Sequence, residues 1–322
     1  MHPAFSVIFL TTLIGAGQGL FLALFSGQLY SAVNLLPAQS SNFYVTGSII
    51  ALVLMVGGLA ASFWHLGRPE RAWRAASQWR TSWLSREVII LPAVMGLVFI
   101  YGVLHLSGWQ PNWFHNAIPN QPALIVGAVT TLAVFALYIA TGMIYASIKF
   151  LQEWASVLTV INYTLLGAAS GFTLATALAA WQGSGLTGFY GTWAVILTLA
   201  GLISRAASLY RNARIKYKST VQSAIGMRHN AVVQKSMGMM GGSYNTREYF
   251  HGASAAWFKS IKYIFLVLVF PVPLILLWAG LTAASVQVLA AAFVVQYVGL
   301  LFERWFFFAQ ANHPQNLYYQ TI

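Results

Sequence analysis

The chain of 322 residues lacks two residue types entirely and is poor in charge. It has no cysteine, which excludes disulfide bonds and any iron–sulfur or zinc site ligated by its own thiolates. It has no aspartate and only five scattered glutamates, so neither Ser-His-Asp catalysis nor a carboxylate metal site is expected. Charged residues make up 7% of the chain, against roughly 25% in soluble domains. These numbers exclude a soluble globular protein.

Hydrophobic sequence is abundant instead: 58% of the residues are apolar, and the mean hydropathy is +0.68. About 20 apolar residues in a helix cross the roughly 30 Å hydrocarbon core of a bilayer. Eight such runs predict an all-α polytopic membrane protein that forms one integral membrane domain over residues 1–322. The predicted transmembrane helices cover residues 5–31, 44–66, 87–107, 121–148, 159–181, 189–210, 260–282 and 285–309.

The positive charges lie on one side of this arrangement. With eight spans, both termini share a face with the loops that follow spans 2, 4 and 6. All 17 Lys and Arg residues fall on that face and none on the other. Because positive residues are retained in the cytoplasm, we predict that both termini and this basic face are cytoplasmic.

Two connecting segments have distinctive compositions. Residues 67–86 mix Arg with Trp, which predicts an amphipathic loop at the membrane surface. Residues 211–259 are too long for a simple connector, and their Met, Tyr, Phe and Gly residues suit a contact surface for another protein. The alternative for the second segment is a basic lid over anionic lipid.

Histidine placement argues against haem. Two His residues lie in spans, His65 at the predicted cytoplasmic end of span 2 and His105 at the opposite end of span 3. They are about one membrane thickness apart, roughly 30 Å, so they cannot ligate the same iron. His65 has Arg68, Glu70 and Glu87 near it in the sequence, and histidine is the side chain whose unperturbed pKa lies near neutral pH. Both a local hydrogen-bonding role and a proton-transfer role are open to it.

The sequence His65-Leu66-Gly67-Arg68-Pro69-Glu70-Arg71-Ala72, followed by Leu84-Ser85-Arg86-Glu87, resembles the DmsC family of anchor subunits of molybdopterin-dependent oxidoreductases. The resemblance extends from span 1 to span 8. It implies a haem-free anchor with a site for ubiquinone or menaquinone, in which His65 is the catalytic residue that supplies or relays protons. The quinone-binding residues that we expect on this basis are Gln18, His65, Arg68, Glu70, Arg71, Glu87 and Arg304.

The charge map differs from that of dimethyl sulfoxide reductase anchors, whose catalytic subunits face the periplasm. It is more similar to that of the SoeC-type branch of the family, which also shares features of residues 150–155, 162–167 and 243–248. This similarity implies an anchor and quinone-reactive subunit of a sulfite:quinone oxidoreductase in the inner membrane of a bacterium. Molybdopterin and iron–sulfur clusters would then belong to partner subunits docked on the cytoplasmic side.

Three alternatives are open. The chain could anchor a quinol-oxidising complex of the dimethyl sulfoxide reductase type, or anchor a complex whose quinone site lies elsewhere. A secondary transporter is less favoured, because no internal repeat is visible and the ionisable residues crowd one membrane boundary. Nucleic acid is not an expected partner of a membrane protein with this charge distribution.

Overall fold

A computed structural model describes residues 3–64, 66–109, 111, 121–216 and 255–312, together with positions 220, 222–223, 226 and 229. Within these ranges the chain is helical and contains no β-strand. A 3-10 helix, Pro69–Gln78, connects α2 to α3. The α-helices are α1 (Phe5–Ala32), α2 (Ser41–Phe63), α3 (Trp83–Ser107), α4 (Gln121–Ala146), α5 (Val157–Trp181), α6 (Thr187–Asn212), α7 (Ala255–Val269), α8 (Pro271–Thr282) and α9 (Val286–Ala309).

The prediction of eight membrane spans is confirmed. Eight helical segments are long and apolar enough to cross a bilayer, with α7 and α8 together forming the seventh over 256–282. That span is divided at Phe270 because Pro271 has no backbone N–H to continue the helical hydrogen bonding. The largest boundary difference concerns span 7, whose helix begins at Ala255 instead of the predicted residue 260. Span 3 begins at Trp83 instead of residue 87, and span 2 ends at Phe63 instead of residue 66.

Serine side chains fix where several spans begin. Ser40, Ser82, Ser156 and Ser285 each precede a helix, and each side-chain oxygen accepts a hydrogen bond from a backbone N–H of the first turn. These bonds satisfy donors that would otherwise have no partner at the helix start. The predicted loop 67–86 is shortened accordingly, because its last residues belong to α3 and ten of its residues form the 3-10 helix.

Helix α1 lies at the centre of the bundle and packs against α2, α4, α5 and α9. Its contact with α5 brings the two backbones together: a Cβ atom added to Gly171 would lie 2.1 Å from the carbonyl carbon of Gly19. Small residues at such crossings allow the close van der Waals contact that replaces the hydrophobic effect in lipid.

The alternating helices place the start of α1 at the same end of the bundle as the ends of α2, α4, α6 and α9. We call this the basic end. The described Lys and Arg residues lie there, within about two helical turns of the helix termini. The other end is called the opposite end below.

Candidate functional site

A polar cavity lies inside the bundle near the basic end, between α1, α3, α4, α5 and α9. Eight polar side chains and several small or apolar ones form its wall. Its volume is about 20 Å³, which is room for about one water molecule. The polar residues are Gln18, Glu87, Thr141, Tyr163 and Arg304, with Thr11, Thr12 and Tyr138 beside them.

Helix geometry explains why these side chains meet. Glu87 follows the start of α3 by four residues, Tyr163 follows the start of α5 by six, and Arg304 precedes the end of α9 by five. At 1.5 Å per residue, all three lie roughly 6–9 Å inside the basic end. Gln18 is 13 residues into α1 and therefore closes the deeper side of the cavity.

Glu87 is a buried carboxyl group within a membrane span. The residue is 8% exposed, and Thr141 Oγ1 donates a hydrogen bond to its Oε1 atom. A carboxyl group at this depth is costly in lipid unless it faces the bundle interior and finds polar partners. Glu87 meets both conditions, since it lines the cavity opposite a guanidinium.

That guanidinium belongs to Arg304, which Tyr163 and Glu303 hold in place. Its Cζ atom lies 3.7 Å from the centre of the Tyr163 ring, and its Nη1 atom lies 3.3 Å from Glu303 Oε2. Glu303 also pairs with Arg205 on α6, at 2.8 Å between Oε1 and Nε. All three charged side chains are at most 5% exposed. One carboxylate therefore bridges two arginines, and the Glu87 carboxylate across the cavity balances the charge of the group when it is ionised.

Gln18 provides an unused hydrogen-bond donor. Its Nε2 atom is buried and has no hydrogen-bond partner within the described part of the chain. A buried polar group left unpaired costs about 1–3 kcal/mol. An acceptor entering the cavity would remove this cost.

The structure brings three of the predicted quinone-binding residues together in the cavity and places three others on the surface, outside the cavity lining. Gln18, Glu87 and Arg304 line one cavity. Arg68, Glu70 and Arg71 lie on the surface at and after the start of the 3-10 helix. Glu70 and Arg71 approach each other to 3.8 Å while 66% and 50% exposed. His65, the predicted catalytic residue, lies outside the described residues.

Arg205, Thr141 and Tyr163 were not identified from the sequence as site residues. Arg205 lies seven residues before the end of α6. A charged residue that deep in a span was the available signal. Thr141 gave none, because hydroxyl residues are common in membrane helices.

Arg and Trp alternate along the surface that leads from α2 to α3. Arg80 lies over the Trp79 ring at 5.1 Å, and Arg86 over the Trp83 ring at 4.1 Å. Arg86 also donates hydrogen bonds to the carbonyl oxygens of Trp79 and Arg80. These contacts fix the turn before α3 and hence the position of Glu87 one turn later.

A second polar cluster lies near the opposite end. Tyr101 Oη donates a hydrogen bond of 2.7 Å to Gln28 Oε1, and the His105 ring stacks on Tyr44 with 4.4 Å between centres. Between Gln18 and Gln28, α1 presents Phe21 and Leu24, both fully buried. The two polar clusters are therefore separated along α1 by about 15 Å of mainly apolar core.

Comparison with known proteins adds the family. The family model described as DMSO reductase anchor subunit (DmsC) matches residues 1–319. This chain belongs to the DmsC family. The chain is also 59% identical to a sulfite dehydrogenase subunit from Allochromatium vinosum, over the full length of both proteins. The resemblance inferred from the His65–Ala72 and Leu84–Glu87 motifs is thus confirmed, as is a multi-pass membrane anchor.

Proposed function

We propose that this DmsC-family chain is the quinone-reactive membrane anchor of a sulfite-oxidising complex, and that the quinone ring is reduced at the polar cavity. The observation that carries the proposal is the meeting of Gln18, Glu87 and Arg304 in one buried cavity. The sulfite substrate is inferred from the Allochromatium vinosum relative, which is named as part of a sulfite dehydrogenase.

The residues of the cavity suit a quinone ring. A quinone supplies two carbonyl oxygens that accept hydrogen bonds, and its reduction takes up two electrons and two protons. Gln18 Nε2 is a donor that has no partner among the described residues, and the positively charged Arg304 lies beside the same space. Glu87 and His65 are titratable groups for proton delivery, with Thr141 orienting the Glu87 carboxyl. Because the cavity measures only about 20 Å³, its walls must separate to admit the ring.

The electrons would arrive from partner subunits. Oxidation of sulfite and water to sulfate releases two electrons and two protons on a molybdopterin subunit, and iron–sulfur clusters of a second subunit pass the electrons on. We assign the docking of these subunits to the basic end, to residues 211–259 and to the exposed residues Arg68 and Arg71. On the positive-inside rule this end faces the cytoplasm. The anchor would contribute the quinone site and the attachment to the inner membrane.

Two rates measured on the assembled complex test the proposal: sulfite oxidation with a soluble dye and sulfite oxidation with quinone. Gln18→Leu, Glu87→Gln and His65→Ala are each expected to leave the dye-linked rate intact and to lower the quinone-linked rate. For Glu87→Gln and His65→Ala, loss of a proton-transfer group predicts a fall of about 100-fold. Gln28→Leu is the matched control for Gln18→Leu, on the same helix but in the other polar cluster.

Glu70→Gln is the control for a surface residue outside the cavity. Glu70 is exposed and is not one of the residues that line the cavity, so its substitution is expected to preserve the quinone-linked rate. A quinone site elsewhere would be indicated if Gln18→Leu and Glu87→Gln both retained the quinone-linked rate in well-assembled complexes.

A further inference from the structure

An apolar groove opens to the lipid at the basic end, between α1, α7 and α9. Its volume is about 410 Å³, some twenty times that of the polar cavity. Phe5, Phe9, Trp257 and Val298 are 38–64% exposed along it. From Val298 to Trp305 it follows α9 for seven residues, or about 10 Å.

The groove and the polar cavity lie on two sides of the same helix contact. On α9, Leu300 and Arg304 line the cavity, whereas the adjacent Leu301 and Trp305 line the groove. On α1, Thr11 and Thr12 line the cavity, whereas Ile8 and Phe9 line the groove. The wall between the two spaces is therefore the contact of α1 with α9.

Side chains form this wall. Thr12 Oγ1 and Tyr297 Oη share a hydrogen bond of 3.1 Å across it. At 100° per residue, Tyr297 points between the cavity-lining and groove-lining faces of α9. Thr12, which also lines the cavity, points between the groove-lining residues Ile8 and Phe9 of α1. A single hydrogen bond of this kind contributes a net free energy of about 0.5–1.5 kcal/mol. Breaking this hydrogen bond requires the Thr12 and Tyr297 side chains to move apart.

A second apolar groove, of about 380 Å³, is separated from the cavity more firmly. Leu29, Thr131, Leu165 and Leu197 are among its lining residues, and it extends along α1 beyond Gly19 toward the opposite end. Between it and the cavity lies the backbone contact of α1 with α5, where a Cβ on Gly171 would lie 2.1 Å from Gly19. Buried Tyr138, which donates to the Gly15 carbonyl oxygen, lies at the same crossing. This side cannot open without moving two helices apart.

We propose that the groove between α1, α7 and α9 binds the isoprenoid tail of the quinone, and that the ring reaches the polar cavity where the Thr12–Tyr297 contact parts. The inference rests on the proposed function. The quinone is amphipathic, and the two adjoining spaces match its two parts. Its polar ring would lie among Gln18, Glu87 and Arg304, and its apolar tail would lie along the groove.

The first test compares a prenylated quinone with a quinone that has no tail, each reduced by the assembled complex. Val298→Trp fills part of the groove, and we expect the ratio of kcat/KM for the prenylated quinone to that for the tail-less one to fall about tenfold. This is the effect of displacing one C5 unit, comparable in size to a Leu side chain, from an apolar contact. Val53→Trp, at a lipid-facing position of α2 that is 65% exposed, should leave the ratio unchanged.

The second test uses the absence of cysteine from the chain. The Thr12→Cys/Tyr297→Cys double variant, joined by a short bis-maleimide, ties the wall shut and should stop quinone reduction while dye-linked sulfite oxidation continues. The two single variants treated with the same reagent are the controls.

The outcomes distinguish this inference from the proposed function. If Gln18→Leu abolishes quinone reduction but Val298→Trp leaves the ratio unchanged, the groove assignment is overturned and the proposed function stands. If Leu197→Trp lowers the ratio instead, the second groove holds the tail. If crosslinked complexes still turn over quinone, the ring does not pass between Thr12 and Tyr297.

Discussion

The bridging carboxylate of Glu303 is expected to be the most stability-sensitive charged group of the bundle. Glu303→Gln would leave Arg205 and Arg304 buried together without the carboxylate that neutralises them, since Glu303 pairs with both at 2.8 and 3.3 Å. Breaking a buried pair by removing one partner costs about 3–5 kcal/mol. We therefore expect Glu303→Gln to lower the free energy of unfolding by about that amount.

Substitution of Arg205 should be milder. Arg205→Met leaves Glu303 paired with Arg304, and the methionine occupies the space beside Phe265 that the arginine filled. The double variant Arg205→Met/Glu303→Gln removes one of the two unpaired cations. It should therefore recover about 2 kcal/mol relative to Glu303→Gln alone, as coupled neighbours do.

The assay is unfolding of the full chain in bicelles by titration with sodium dodecyl sulfate. Glu70→Gln provides the matched control, because Glu70 and Arg71 form an exposed pair at 3.8 Å. An exposed pair contributes at most about 1 kcal/mol. The reasoning would be refuted if Glu303→Gln cost no more than Glu70→Gln, or if the effects of Arg205→Met and Glu303→Gln simply added in the double variant.

Two further predictions concern packing and assembly. Gly171→Ala is expected to lower the free energy of unfolding in the same titration by at least about 1–3 kcal/mol, because the added Cβ would lie 2.1 Å from the Gly19 backbone. Gly96 has open space around it, so the control Gly96→Ala should change the free energy of unfolding by less than about 1 kcal/mol. Deletion of residues 236–252 should release the catalytic subunits from the membrane while the eight spans still insert. The release is measured as dye-linked sulfite oxidation in the soluble fraction. If this activity stays with the membrane, the deleted segment is a lipid contact or a lid instead.

The spans were predictable because lipid leaves the backbone no alternative. Every N–H and C=O group in hydrocarbon must be paired within the chain, so an apolar run of sufficient length is helical whatever its neighbours are. The break at Pro271 and the serine caps depend on local hydrogen bonds, and these shift helix ends by a few residues. Span 3, for example, begins at Trp83, after the Ser82 cap, instead of residue 87.

The arrangement of the helices was not predictable from hydrophobic pattern. In a soluble helix the buried face is apolar and the exposed face polar, whereas here lipid-facing and interior faces are both apolar and give no such signal. Gln18 and Arg304 were identified through family resemblance, and Glu87 through resemblance and its place near His65. The pairing of Arg205 with Glu303, 98 positions apart in the sequence, required the three-dimensional structure.

The apolar layer of α1 between Gln18 and Gln28 bears on how the complex would take part in energy conservation. Within the described chain, Phe21 and Leu24 of α1 lie in this layer, Val98 of α3 lies at a similar depth, and all three are fully buried. A quinone reduced on the Gln18 side would take its protons from the face that supplies the electrons, and no charge would cross the membrane. Electron delivery would then build no membrane potential itself, and the energy of the reaction would be stored only when a later enzyme reoxidises the quinol.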